Sequence, residues 1–257
     1  MPRQLRVQAP DTIFHVTSRG NAQQDIYTCD DERVLFLNLL TRVVSEREWL
    51  CHAYCLMNNH FHLVVGLTKP NLSEGMKDLN HRYALLFNRF HQRSGHLFQS
   101  RFYSKIVPND EYMMETSRYV ELNPLRAGLT CNPESWPWSS YGELFSEKGI
   151  ASHELVLSIF SDNHASAYAQ YLDFLKKGMD EAFCWQDVRE YLNGNRKAPR
   201  PSLADVFEEV EGRERRMAEA YNVYGYKLRE IAEFLGLSTT YVHRMIRRES
   251  GLVEKTG

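Results

Sequence analysis

His60, Phe61 and His62 set two imidazoles two residues apart, and Tyr119 and Asn123 set a phenol and a carboxamide four apart. In an extended strand alternate side chains share a face, so His60 and His62 project to one side and Phe61 to the other. Two neighbouring imidazoles are half of a metal site. Taken alone, such a pair reads more readily as structural or incidental than as a pair of ligands. Residues four apart on a helix lie one turn from each other on one face. The Asn123 amide oxygen would then serve as a third ligand and hold the Tyr119 hydroxyl beside the same metal. Against this, the chain has fourteen tyrosines, and Tyr119 also reads as a core aromatic, with Asn123 a polar helix end before Pro124.

The elements that would position these residues are legible in the spacing. Residues 12–19 (TIFHVTSR) alternate like a strand and end at the turn signal Gly20-Asn21. Asp30 or Asp31 caps a helix carrying Val34, Leu35, Leu37, Leu39, Leu40, Val43 and Val44 at helical spacing. Residues 50–57 and 61–67 read as two strands joined at Asn58-Asn59. A helix follows from Asn71 or Ser73 to about Arg93, then a strand over 101–107 ending at Pro108, then a helix from Asn109 or Asp110 to about Asn123, stopped by Pro124. The order β-α-β-β-α-β plus a helix is an α+β, ferredoxin-like (RRM-like) plan, an antiparallel sheet with two helices on one face.

Beyond Gly128 the composition shifts. Residues 130–150 are rich in Pro, Ser and Trp and read as an ordered wrapping arm, 151–192 look helical, and 193–202 (NGNRKAPRPS) is the candidate linker. The expected division is 1–130 for the chemistry-bearing domain, 131–202 for the arm, helical extension and linker, and 203–257 for a helical domain.

Composition narrows the class. Hydrophobic residues make up 43% and charged residues 25% of 257, ordinary for a globular protein. The apolar runs are too short to span a bilayer and the N-terminal stretch lacks an apolar segment, so no membrane partner and a cytoplasmic location are expected. Five cysteines without a Cys-x-x-Cys pair suggest neither a disulfide framework nor a zinc ribbon. Cys51 and Cys55, four apart in a strand, are expected on one face as buried small hydrophobes. The net charge of −2 decides nothing, but from Lys77 to Lys105 six basic residues stand against the single acid Asp78. That excess fits a phosphate-contacting surface and, equally, a solvated helix face.

Several separated blocks bear on the choice. The segment CHAYCLMNNHFHLVV (51–65) resembles the HUH motif of single-tyrosine HUH transposases, as do GHLFQSRF (95–102) and RYVELNPLRAGL (118–129). With FHVTSRGN (14–21), they resemble the REP-associated tyrosine transposase branch over roughly 10–145, in that family's order and spacing. The resemblance implies that His60, His62 and Asn123 bind a metal and that Tyr119 is the nucleophile. It implies cleavage and rejoining of single-stranded DNA through a 5′-phosphotyrosine link, on palindromic repeats that fold into hairpins. The entry loop GNAQQDIYTCDDE departs from the pattern, lacking the basic residue expected after Gly20-Asn21.

Two imidazoles and an amide are neutral ligands, so a divalent ion held by them keeps its charge for a phosphate. Ligand softness alone suggests zinc, whereas the resemblance implies Mg2+ or Mn2+. Glu115, one turn before Tyr119, reads as a helper or, better, as an ion-pair partner of Arg118 or Lys105. Arg19, Arg82, Arg89, Arg93, Arg101 and Lys105 are candidate contacts to the DNA.

Near the C-terminus, residues 228–248 have helix-turn-helix spacing: Ile231, Ala232 and Leu235 pack one helix, Gly236 opens a turn, and Ser238 caps a helix carrying Val242 and Ile246 inward. Thr239, Thr240, Tyr241, His243 and Arg244 would face outward toward a major groove, making adjacent duplex DNA a second partner. The alternative is a plain packing hairpin. Two other functions compete with strand transfer: a DNA-binding regulator with a vestigial site, and a small metallohydrolase that needs no Tyr119. The oligomer is expected to be a monomer or homodimer.

Overall fold

The computed structural model describes residues 9–146, 149–180, 203–207, 212–222 and 226–249. The chain divides into two compact units, Pro10–Arg196 and Lys197–Gly257 with Met1–Ala9.

In the larger unit four strands, β1 (Thr12–Arg19), β2 (Trp49–Leu56), β3 (His60–Leu67) and β4 (Tyr103–Val107), pair in the order β2-β3-β1-β4, antiparallel throughout. The helices α1 (Asp30–Arg47) and α2 (Leu72–Phe90) are the two crossovers of a ferredoxin-like sheet. Alternation along the strands sorts residues onto two covered faces. Phe14, Val16, Phe61, Leu63 and Val65 meet Phe36 and Leu40 of α1 and Met76, Leu79 and Tyr83 of α2. On the opposite face Ala53, Cys55, Val64 and Val107 meet a third helix, α3 (Asp110–Glu121), through Met113 and Val120. Because both faces are covered, β2 and β3 are nearly all buried.

Two local features differ from the periodicity. A bulge between Cys51 and Ala53 shifts the register, so that Cys51 pairs with Val65 and Cys55 with His62. The extra residue turns the two thiols to opposite faces, Cys51 into the core with α1 and α2 and Cys55 into the core with α3. The helix expected to reach Asn123 instead ends at Glu121. Leu122, at φ −91° and ψ 3°, leads into a separate single turn, α4 (Asn123–Arg126), with proline in its first turn. Pro124 has no N–H to continue the ladder, which is why the helix breaks where it does.

Residues 131–146 follow the outer edge of β2: Leu56 N–H donates to the Trp138 carbonyl at 2.8 Å, and the Trp136 indole donates to the Leu56 carbonyl at 3.2 Å. The Arg33 guanidinium lies over the Trp136, Trp138 and Tyr27 rings at 5.8, 5.7 and 5.4 Å, and it donates to the Asn58 carboxamide at 2.9 Å. An edge strand is thus covered, and the hairpin before His60 is tied to α1. Then α5 (Glu154–Ser158) and α6 (His164–Asp180) pack through Val156, Leu157, Tyr171 and Leu175 into the core that holds α3. The candidate linker, 193–202, lies outside the described residues.

The smaller unit is helical: α7 (Leu203–Val206), α8 (Arg213–Asn222), α9 (Leu228–Leu235) and α10 (Thr239–Glu249). Met217, Ile231, Ala232, Val242 and Ile246 form its core. Gly236 ends α9 at φ +65°, a left-handed conformation that favours glycine, and the Ser238 hydroxyl accepts from Tyr241 N–H at 3.2 Å to cap α10. No helix among the described residues is long and apolar enough to cross a membrane.

Candidate active site

Strand pairing assembles the site before any helix is added. Thr17 pairs with His62, Arg19 with His60 and His15 with Val64, while across β1 His15 pairs with Lys105 and Thr17 with Tyr103. Paired residues share a face, so His15, Arg19, His60, His62, Tyr103 and Lys105 lie on one side of the sheet. That is the side on which α3 packs.

The helix lays Tyr119 over this row. The rings of Tyr119 and His62 are edge-to-face with centroids 5.5 Å apart, and those of Tyr119 and His15 are 6.2 Å apart. Asn123, on the separate turn after the break, brings its amide nitrogen to 3.2 Å from His62 Nε2. His60 and His62 stand edge-to-face at 4.9 Å. The four residues singled out in the sequence therefore converge, although Tyr119 and Asn123 do so across a helix break and not along one helix.

Their electrostatics favour neutral ligands. Burial, with His60 nearby, pushes the His15 imidazole down to about 3. Burial, reinforced by Arg19, pushes His60 down to about 4. Burial also holds His62 well below the ordinary histidine value, with His60, His15 and Arg19 acting in the same sense. The lone pairs are free of protons at neutral pH, as coordination requires.

The donor set bears on the cofactor. Among the described residues no group of three or more His, Cys, Asp or Glu side chains could hold a metal ion. The set offered here is two imidazoles and an amide that can turn its oxygen inward, neutral and weakly binding. That chemistry fits a divalent ion used at a phosphate better than a tightly held structural zinc.

The expected DNA contacts divide. Arg19 is exposed beside His60, and Lys105 is half-buried beside His15, with burial lowering its ammonium below the ordinary lysine value. Arg101 is exposed but precedes β4, in a segment whose Gln99 N–H donates to the Arg19 carbonyl at 2.9 Å. Arg82 and Arg89 are exposed on α2, in the layer across the sheet from Tyr119, and Arg93 lies with its guanidinium 5.6 Å from the Phe87 ring. These three are not brought to the site. In the smaller unit Thr239, Thr240, His243 and Arg244 are exposed and Tyr241 is half-buried.

Three residues were missed by the spacing argument. His15 shares its face with Arg19 by simple alternation, but its contact with His62 depends on pairing between strands that are distant in sequence. Tyr103 is exposed on the same face. Arg126, on the turn after the break at Leu122, places its guanidinium 5.8 Å from the Tyr119 ring centroid. Glu115 is held by Arg118, which contacts both carboxylate oxygens at 2.7 Å.

Residues 9–123 match the model of the family described as "Transposase IS200 like". Among solved structures, the chain is similar to one described as the REP-associated tyrosine transposase bound to a REP hairpin. Identity is 16%, with 59% of this chain and 91% of that chain covered and a TM-score of 0.49. No curated protein matches the chain.

Proposed function

We propose that the chain, whose residues 9–123 match the IS200-like transposase model, cleaves and rejoins single-stranded DNA, with Tyr119 as nucleophile. The observation that carries this is the convergence of Tyr119, His62 and Asn123 on one sheet face, with the Asn123 amide 3.2 Å from His62 Nε2. A divalent ion, Mg2+ or Mn2+, held by His60, His62 and Asn123 would supply positive charge to the scissile phosphate.

The Tyr119 phenolic oxygen attacks phosphorus, the bond to the 3′ oxygen breaks, and the products are a 5′-phosphotyrosine link and a free 3′-hydroxyl. Attack by a 3′-hydroxyl on that link reverses the step, so no nucleotide energy source is consumed. The phenol must lose a proton and the leaving oxygen must gain one. Glu115 is held as an ion pair, with both its oxygens accepting from Arg118. Arg126 stands where its charge can meet the phosphate as Tyr119 attacks. Arg19 and Lys105, on the same face, extend a track for the backbone.

The substrate is a palindromic repeat folded as a hairpin, a reading that rests on the motif blocks between residues 14 and 129. The helix pair α9–α10 serves as a helix-turn-helix on adjacent duplex, with Thr239, Thr240, Tyr241, His243 and Arg244 presented to the groove. Substituting Thr240 and Arg244 with alanine should weaken duplex binding and spare hairpin cleavage; unchanged duplex affinity would remove α10 from recognition.

The test of the chemistry is an adduct assay. Hairpin-containing single-stranded oligonucleotides and Mn2+ are expected to give a covalent species on denaturing gels with the unmodified protein and none with Tyr119→Phe. An adduct of equal yield with Tyr119→Phe would overturn the nucleophile.

A further inference from the structure

The candidate imidazoles, His60 and His62, are each held at Nδ1 by a neighbouring side chain. Asn59 Oδ1 lies 2.7 Å from His60 Nδ1. The Asn59 amide is itself oriented, because its Nδ2 donates to the Gln23 carbonyl at 3.1 Å. Its oxygen must therefore face His60, and His60 Nδ1 must carry the hydrogen. On His62 the equivalent contact is to another imidazole: His15 Nε2 lies 2.9 Å from His62 Nδ1. The two rings are 11° from parallel with centroids 5.1 Å apart, and His15 is only 1% exposed.

A hydrogen bond between two imidazoles fixes tautomers only if one end is constrained. With Nδ2 rather than Oδ1 toward the ring, the orientation Asn123 has here, its amide donates to His62 Nε2 at 3.2 Å and so requires a lone pair there. The hydrogen of neutral His62 then sits on Nδ1 and is given to His15 Nε2. His15 is unconstrained beyond this bond, since its Nδ1 has no hydrogen-bond partner among the described residues. It can therefore adopt the tautomer that accepts.

We propose that His15 and Asn59 are positioning residues that hold His62 and His60 as Nδ1–H tautomers, so that both Nε2 lone pairs face the Tyr119 side of the sheet. This rests on the reading of His60, His62 and Asn123 as the cation-binding set. The device resembles the outer shell of metal sites in general, where the far nitrogen of a ligand imidazole is held by an oxygen acceptor. Here one of the two acceptors is a buried histidine, which accepts without adding negative charge to a site that must attract phosphate.

The test uses the full chain with 15N-labelled histidine, freed of metal by chelation. Long-range 1H–15N correlation spectra read the tautomers directly, and His60 and His62 are both expected with hydrogen on Nδ1 and a bare Nε2. Mn2+ binding is then titrated without DNA. His15→Leu, which has no acceptor, should weaken Mn2+ binding by about 10–100-fold. His15→Gln, whose Oε1 can replace the lost acceptor, should recover most of it. A wild-type His62 protonated on Nε2 would overturn the proposal, and this reading stands even where His15→Leu fails to fold. His62→Ala separates the two levels. If it loses Mn2+ while His15→Leu binds like wild type, only the role of His15 falls. If it too binds Mn2+ like wild type, the cation site falls and the proposal with it.

Discussion

The Tyr171 hydroxyl of α6 donates a 2.8 Å hydrogen bond to Glu121, the last residue of the helix that carries Tyr119. Glu121 is wholly buried, and its other carboxylate oxygen takes the Ser140 hydroxyl at 3.2 Å and His153 Nε2 at 2.8 Å. Three segments that follow the match to the family thus converge on one carboxylate two residues beyond Tyr119, the proposed nucleophile. Arg118 adds a second clamp: its guanidinium lies 4.0 Å from the Phe174 ring centroid, and a side chain at Gly178 would come within 2.7 Å of its Cδ.

Removing that carboxylate strands three buried polar partners. Glu121→Ala is expected to cost about 3–5 kcal/mol, the range for breaking a buried pair, whereas Tyr171→Phe should cost about 1–2 kcal/mol because Glu121 keeps its other partners. Urea unfolding measures both. The milder variant is also expected to slow adduct formation if α6 holds Tyr119 in place, an effect that a stability measurement alone would not reveal.

Burial makes a chemical distinction among the thiols of the described residues. Cys51 and Cys55 are buried on opposite faces, and burial raises both thiols above their ordinary value, whereas Cys29 and Cys131 are exposed. A thiol-specific reagent applied to the folded protein should modify Cys29 and Cys131 rapidly and leave Cys51 and Cys55 until denaturant is added. Mass mapping after brief labelling decides it.

The bulge in β2 shows where sequence reading stops. Strand and helix positions followed from spacing because each signal is local: the alternation of 12–19, the turn at Asn58-Asn59, the cap at Asn109. The face on which Cys51 falls depends on one extra residue opposite β3, and no periodicity in β2 announces it. Helical spacing put Asn123 beside Tyr119 as a candidate ligand, and its amide reaches His62 although the helix breaks at Leu122, because a single turn follows at once. His15 and Arg126 could not be assigned from spacing, since each acquires its role only from a partner brought near by tertiary packing. The charge run from Lys77 to Lys105 is split between layers that no charge count distinguishes: α2 carries Arg82 and Arg89 on the far side of the sheet, whereas Lys105 shares the Tyr119 side.

A stability change with pH is expected from Glu32. Burial alone would raise its carboxyl, but hydrogen bonds from the Thr28 N–H and hydroxyl and from His91 outweigh this and hold it below the ordinary value of 4.5. Since the folded value is depressed, the contribution is complete above the unfolded value and is lost as pH falls through the folded one. Wild type should therefore exceed Glu32→Gln in stability at neutral pH, and the gap should close as pH falls below the ordinary carboxylate value and through the depressed folded one. Thermal melts of both proteins across that range test the sign.

Asn123 separates ligand chemistry from packing. Asn123→Ala should weaken Mn2+ binding by at least about tenfold, a loss of about 1.4 kcal/mol, with little change in melting temperature because the residue is only half-buried. Asn123→Asp supplies an oxygen with charge and should bind Mn2+ at least as well as wild type. Equal binding by the alanine variant would place the third ligand elsewhere.

Arg126 offers the sharpest contrast between binding a cation and stabilising charge. Its guanidinium is 5.8 Å from the Tyr119 ring centroid and belongs to the turn created by the break at Leu122. If it meets the phosphate during attack, Arg126→Ala should lower the rate of adduct formation by about 100–1000-fold, as loss of one preorganised donor does. Mn2+ affinity should not fall, since removing a nearby cation lessens repulsion of a divalent ion and leaves the lone pairs of the two neutral imidazoles intact. Arg126→Lys keeps the charge but not the planar fork and should fall between the two. Single-turnover adduct kinetics, paired with Mn2+ titration of the same samples, distinguish the outcomes: a wild-type rate in Arg126→Ala would confine the residue to packing against Tyr119.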